Sequence, residues 1–287
     1  MEIRITALDA DILRALSMFT YCTIPQLARV VGVKNENSVK NALQRMRAFS
    51  RPLVKKWEYA FIAGVGRLHS ISTLTHAGAN VLAEIDRIDA EAIYFPALGV
   101  QYSRDYMHRR AFVDCHIAVS KWATENGAEV NFFDRYFLAE GGNHSTGKDA
   151  LIRREYQTRI VLPTGAIIIP DGVFSFRQEE KERLCVLEIH QGKETKKILH
   201  QLTEHIRAIE CGAIRKKHGQ DEANFVLSVY EHRETMEAAM RRFSALPEYG
   251  AIRLAFHFAT IADVANDIRQ AWQLAEGNKV SLFHRST

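Results

Sequence analysis

Apolar residues recur at helical spacing from the start of the chain. Ile12, Leu13, Leu16 and Phe19 fall three or four apart between Asp9 and Phe19, which predicts an amphipathic helix. A second, short helix is expected next, with Thr23 as its N-cap, Pro25 in its first turn, Leu27, Val30 and Val31 along it and Gly32 as its stop. A third, from about Asn37 to Phe49, is expected to bury Val39, Leu43 and Met46 and to present Lys40, Asn41, Gln44, Arg45 and Arg47 before Pro52 ends it. The pattern then becomes that of strands. Leu53 to Trp57 and Leu68 to Ser72, separated by a loop holding Gly64 and Gly66, read as a hairpin, and Leu74 to Ala79 opens a helix ending near Ile85.

Residues 87–105 lack periodicity, carry Pro96 and Gly99, and read as a linker between a domain at 1–86 and another at 106–287. Phe112, Cys115, Val119 and Trp122 share one face of a helix from about His108 to Glu125, closed by Asn126-Gly127. Strands are expected at Glu129 to Phe133, Gln157 to Leu162, Ala166 to Phe176 and Leu184 to His190. A glycine-rich loop from Glu140 to Lys148 follows the first, Pro163-Thr164-Gly165 turns between the second and third, and the charged turn Arg177 to Arg183 precedes the fourth. A helix at Thr195 to Glu210 points Ile198, Leu199, Leu202, Ile206 and Ile209 inward. The chain finishes strand (Asn224 to Tyr230), helix, strand (Ile252 to Phe258), helix (Ala262 to Ala275). The fold class is α/β (α+β).

Length and composition add bounds. A chain of 287 residues, 47% hydrophobic, holds two cores of ordinary size. A net charge of +4 is compatible with a polyanionic partner without requiring one. Cys22, Cys115, Cys185 and Cys211 show no CxxC or Cys/His ligand spacing, which points away from disulfides and structural zinc and toward a reducing cytoplasm. Acidic Glu2, Asp9 and Asp11 argue against a signal peptide, and no apolar run reaches the roughly 20 residues of a membrane span, so no membrane insertion is expected. Walker A, GxSxG, HExxH and His-x-His patterns are missing.

The chemistry concentrates at two strand ends. Side chains alternate along a strand, so Glu188 and His190 share a face of an otherwise apolar segment, and Asp171 ends the run Ala166 to Pro170 in the same way. If the charged turn closes an antiparallel hairpin, residues whose numbers sum to about 359 lie opposite, which sets Asp171 beside Glu188. Adjacent carboxylates in a poorly solvated cleft repel each other, and a divalent cation, Mg²⁺ or Mn²⁺, holds both ionised. Such a metal polarises a phosphodiester and lowers the pKa of a bound water. Lys193, Lys196 and Lys197 at the start of the next helix could hold phosphates near it. Asp171, Glu188, His190 and Lys193 are therefore the candidate catalytic set, with Asp171 and Glu188 as metal ligands. The bland readings are a Pro170-Asp171-Gly172 turn, a Glu188 salt bridge to Arg159 and a hydrogen-bonded structural His190.

Over about the first 85 residues, the order helix, helix, helix, hairpin, helix resembles winged helix-turn-helix domains. That resemblance implies DNA contact by Lys40, Asn41, Gln44, Arg45 and Arg47 of the third helix and by Lys55, Lys56 and Arg67 of the hairpin. From about 108 to 230, a helix, three meandering strands with acids on the second and third, a helix and a strand resemble the PD-(D/E)xK, restriction-endonuclease-like superfamily. A central mixed sheet flanked by helices is implied, although His190 stands where that superfamily places lysine. Together with His108 and His116, the stretch Glu188-Ile189-His190-Gln191-Gly192-Lys193-Glu194-Thr195 resembles the plasmid replication-relaxation proteins related to MOBC-class relaxases. These usually read Glu-x-Asp-x-Gly-Thr there, so Glu188 and Gly192 match and the histidine departs. The resemblance implies a relaxase that recognises and nicks double-stranded DNA at a plasmid or mobile-element origin of transfer, with accessory mobilisation proteins and a coupling ATPase as partners. Tyr21, Tyr102 and Tyr106 are candidate covalent nucleophiles. The rivals are a non-catalytic DNA-binding regulator of plasmid replication or mobilisation on a degenerate nuclease fold, and a restriction or repair nuclease that cuts both strands.

Overall fold

The computed structural model describes residues 4–59, 61–62, 66–96, 105–138, 156–221 and 224–283. Cα packing divides the chain into two units, the first running to Val113 and the second from Asp114 onward. The division falls inside a long helix, Tyr106–Glu125, and not in the stretch 87–105.

In the first unit, α1 (Ala7–Phe19) begins earlier than its apolar stripe because Thr6 caps it. The Thr6 hydroxyl accepts from the Asp9 N–H, and the Asp9 carboxylate accepts in return from the Thr6 N–H at 2.9 Å. After β1 (Cys22–Thr23), Thr23 and Gln26 repeat the device at the head of α2 (Ile24–Val30), where Gln26 Oε1 accepts from the Thr23 N–H at 2.9 Å. Such caps contribute about 1 kcal/mol each. Gly32 follows α2 at φ 71°, a left-handed conformation that suits glycine. Asn35 caps α3 (Glu36–Arg47), which buries Val39, Ala42, Leu43 and Met46. The hairpin comprises β2 (Val54–Trp57), a short outer pair β3 (Phe61–Ile62) and β4 (Gly66–Arg67), and β5 (Ile71–Leu74). The strand β5 pairs antiparallel with both β2 and β1, giving the order β1-β5-β2. Thr75 then caps α4 (His76–Asp86), where Gly78 is obligatory, since a Cβ there would lie 2.0 Å from the Leu53 carbonyl oxygen.

The second unit is a five-stranded mixed sheet. From α5 (Tyr106–Glu125) the chain enters β6 (Glu129–Arg135). A small pair, β7 (Ile160–Val161) and β8 (Ile167–Ile168), precedes β9 (Gly172–Gln178) and β10 (Lys181–His190). The chain continues through α6 (Thr195–Glu210), β11 (Phe225–Tyr230), α7 (Arg233–Ser244) and β12 (Phe256–Thr260). The strand order is β12-β11-β10-β9-β6. Antiparallel pairing joins β6, β9 and β10, and parallel pairing joins β10, β11 and β12. Helices α6 and α7 make the two parallel crossovers, and one face of the sheet packs Val173, Leu184, Val186, Val226, Phe256 and Phe258 against them, with Ile198, Leu202 and Ile206 from α6 and Met236 and Phe243 from α7. Truncating a residue as buried as Leu202 to alanine is expected to cost about 2–5 kcal/mol. On the other face Phe174 and Phe176 stack, and Trp122 of α5 meets Phe176 edge-on at 5.0 Å.

Several expected elements differ. The strand expected from Ala166 to Phe176 is two strands in two sheets, broken at Ile169-Pro170-Asp171, because Pro170 has no N–H to continue a ladder. The expected final helix is only the short Ile261–Asn266. Beyond it Ile268, Ala271 and Trp272 are buried from irregular backbone, where Gln273 bridges Phe258. The last strand starts at Phe256, later than expected, because Tyr249–Ile252 forms a helical turn. The glycine-rich stretch Glu140 to Lys148 lies outside the described residues. Among the described residues no helix is long and apolar enough to cross a membrane.

Candidate active site

The apolar face that packs on α6 turns polar at the carboxyl ends of β10 and β11. Pairing between β9 and β10 runs from Lys181↔Gln178 to Leu187↔Gly172, so Asp171 and Glu188 occupy the next positions in register, as the hairpin arithmetic expects. Asp171 extends the ladder with its side chain, its Oδ2 accepting the Ile189 N–H at 2.7 Å. Its backbone carbonyl accepts from the Tyr136 N–H at 3.0 Å, anchoring it to the end of β6 as well.

Glu188 is 5% exposed, and burying a carboxylate demands compensation. Its Oε1 accepts a 2.6 Å hydrogen bond from His205 Nε2, a side chain of α6 that is itself 2% exposed. The sequence reading did not single out His205. The available signal was its position three residues after Leu202 and four before Ile209, on the inward stripe of the helix, where a polar ring has to find a buried partner.

His190 is also buried, with Nε2 2.9 Å from Ser228 Oγ on β11, and its ring leans on Tyr230 with centroids 4.7 Å apart. Ser228 donates onward to the Tyr230 hydroxyl at 2.9 Å. That uses the one hydroxyl hydrogen of Ser228, so His190 Nε2 is the donor to Ser228. Burial pushes the Tyr230 phenol well above its ordinary value, with the Ser228 hydrogen bond opposing and the Glu188 charge reinforcing the shift. Burial likewise raises the Cys115 thiol, reinforced by the charges of Asp114 and Asp171, so Cys115 stays protonated beside the site. His116 stacks on Phe133 at 3.8 Å, and burial pulls its pKa well down, which makes it a core ring.

Lys193, Lys196 and Lys197 are exposed at the beginning of α6, where Arg242 of α7 donates to Thr195 Oγ1 at 2.6 Å. Asp171 and Glu188 fit Mg²⁺ or Mn²⁺ in donor type, because hard cations take oxygen ligands and Mg²⁺ commonly uses one or two carboxylates and keeps water for the rest. Each carboxylate offers about four lone-pair sites. Among the described residues no group of three or more His, Cys, Asp and Glu side chains is arranged to hold a metal.

In the first unit, Lys40, Asn41 and Gln44 are exposed on α3, and Arg47 is half-buried. Arg45 is committed elsewhere, with Nη2 2.6 Å from Oδ1 of the fully buried Asp9. Lys55 lies over the Trp57 ring at 4.0 Å, Lys56 pairs with Glu58, and Arg67 is exposed. Tyr21 is buried beneath the Arg109 guanidinium at 4.5 Å, and burial raises its phenol. The Tyr106 hydroxyl donates to the His69 carbonyl at 2.9 Å. Both tyrosines thus have packing roles, and Tyr102 lies outside the described residues.

Compared with known proteins, the chain matches no family model, no curated protein and no solved structure.

Proposed function

We propose that this chain binds double-stranded DNA through its N-terminal unit, read as a winged helix, and nicks one strand at a Mg²⁺ or Mn²⁺ centre built on Asp171 and Glu188. The activity would be that of a relaxase at a plasmid or mobile-element origin of transfer. The observation that carries the reading is the β9–β10 register, which brings two carboxylates side by side at a strand end from either flank of a charged turn. The order helix, three antiparallel strands, helix, parallel strand supports it, as does the exposed polar face of α3 ahead of a hairpin.

Asp171 and Glu188 would hold the cation, which when bound supplies polarisation of the phosphodiester and a lowered pKa for a bound water or hydroxyl. Lys193, Lys196 and Lys197 would hold the flanking phosphates. His190, two residues after Glu188 and on its face, is held by Ser228 and would be the group placed to take up a proton there.

Nicking of supercoiled plasmid carrying the cognate origin tests the reading. Wild type with Mg²⁺ or Mn²⁺ gives open circles, and Asp171→Ala and Glu188→Ala do not. A second reading, a non-catalytic DNA-binding regulator, is favoured by the protein partners both carboxylates already have, the Ile189 N–H and His205. Binding without cleavage by wild type would select it, and linear product would select a nuclease that cuts both strands.

A further inference from the structure

The hydrogen bonds of His205 are spent on one residue. Its Nε2 donates to Glu188 Oε1 at 2.6 Å, while Nδ1 is buried with no hydrogen-bond partner among the described residues. Burying an imidazole with one nitrogen unsatisfied carries a desolvation cost, and a purely packing role at this inward position would be met better by leucine or isoleucine, which occupy Ile198, Leu202 and Ile206 on the same stripe. The cost is offset by what Nε2 does. Glu188 sits near the end of β10, and the His205 bond holds one of its carboxylate oxygens toward α6, which bears on the direction of the other.

Resting on the metal-centre reading above, we propose that His205 is the positioning residue of that centre: it orients the Glu188 carboxylate for the divalent cation without touching the cation itself. Groups that hydrogen-bond a metal's ligands typically change its affinity by about 10–100-fold when removed.

The test is Mn²⁺ titration of the full chain, read as free Mn²⁺ by electron paramagnetic resonance, with thermal melting in parallel to show that each variant is folded. His205→Ala is expected to weaken Mn²⁺ binding about 10–100-fold. His205→Gln, whose amide can still donate to Glu188, is expected to bind within a few-fold of wild type. A merely structural role would lower the melting temperature of both variants and leave the Mn²⁺ affinity of the folded protein unchanged, and that result overturns the proposal. So does a folded His205→Gln that binds as weakly as His205→Ala. Wild type that takes up no Mn²⁺ overturns the underlying metal-centre reading and the proposal with it, a failure distinguishable because it appears before any variant is compared.

Discussion

Asp171 reaches across the end of the β9–β10 ladder to Ile189, its carboxylate oxygen 2.7 Å from the Ile189 N–H, so that a side chain makes the last rung. A strand that Pro170 had interrupted is in this way re-attached one residue later, and the attachment sets the position of the carboxylate beside Glu188. Asp171→Ala leaves the Ile189 N–H without this acceptor and is expected to lose about 1–3 kcal/mol of stability in urea denaturation. Asp171→Asn keeps a carbonyl acceptor and should lose less than half as much. Equal losses would show that the bond to Ile189 does not set the stability of this end of the sheet.

The third helix separates into two kinds of basic or polar residue. Arg45 neutralises Asp9, whose carboxylate is wholly buried and already caps α1, so Arg45→Ala is expected to destabilise the N-terminal unit by about 1–3 kcal/mol. Lys40→Ala and Gln44→Ala remove exposed side chains and should change stability by less than about 0.5 kcal/mol. On the winged-helix reading, Lys40→Ala lowers DNA affinity and reduces the salt slope of binding by about one unit. Denaturant curves and fluorescence anisotropy over a range of salt concentrations check both halves. An Arg45→Ala variant that is as stable as wild type, or a Lys40→Ala variant with an unchanged salt slope, would contradict this division.

Acid should destabilise the second unit before its carboxylates titrate. Burial holds His218 and His257 at about 4 in the folded chain, and His116 is lowered in the same direction, whereas an unfolded histidine titrates near 6.5. The unfolded chain therefore takes up protons first as pH falls. Stability is full above about pH 6.5 and declines through the interval down to about 4. Melting temperature measured between pH 7.5 and 4.5 should fall accordingly, and His257→Asn should flatten the decline. A profile flat to pH 4.5 in wild type would show that these rings are not buried as described.

The hairpin that sets the site was legible in the sequence because a charged turn between two apolar runs fixes register by simple counting, and the turn tip at Glu179 and Glu180 lies where the counting requires. The capping residue Thr23 was legible through local chemistry. His205 was not, because its partner lies on a strand 17 positions earlier and the contact exists only once α6 packs back on the sheet. The break at Pro170 was masked by a continuous run of isoleucines, two of which, Ile167 and Ile169, turn out to be exposed. The C-terminal segment deceived for a related reason. Its apolar residues are buried without forming a helix, and spacing cannot tell the two apart.

The central claim is that Asp171 and Glu188 share a divalent cation. Anomalous diffraction from crystals soaked in Mn²⁺ measures this directly. The account predicts a peak within about 2.6 Å of an oxygen from each carboxylate. Crystals that show Mn²⁺ elsewhere, or nowhere, would contradict it.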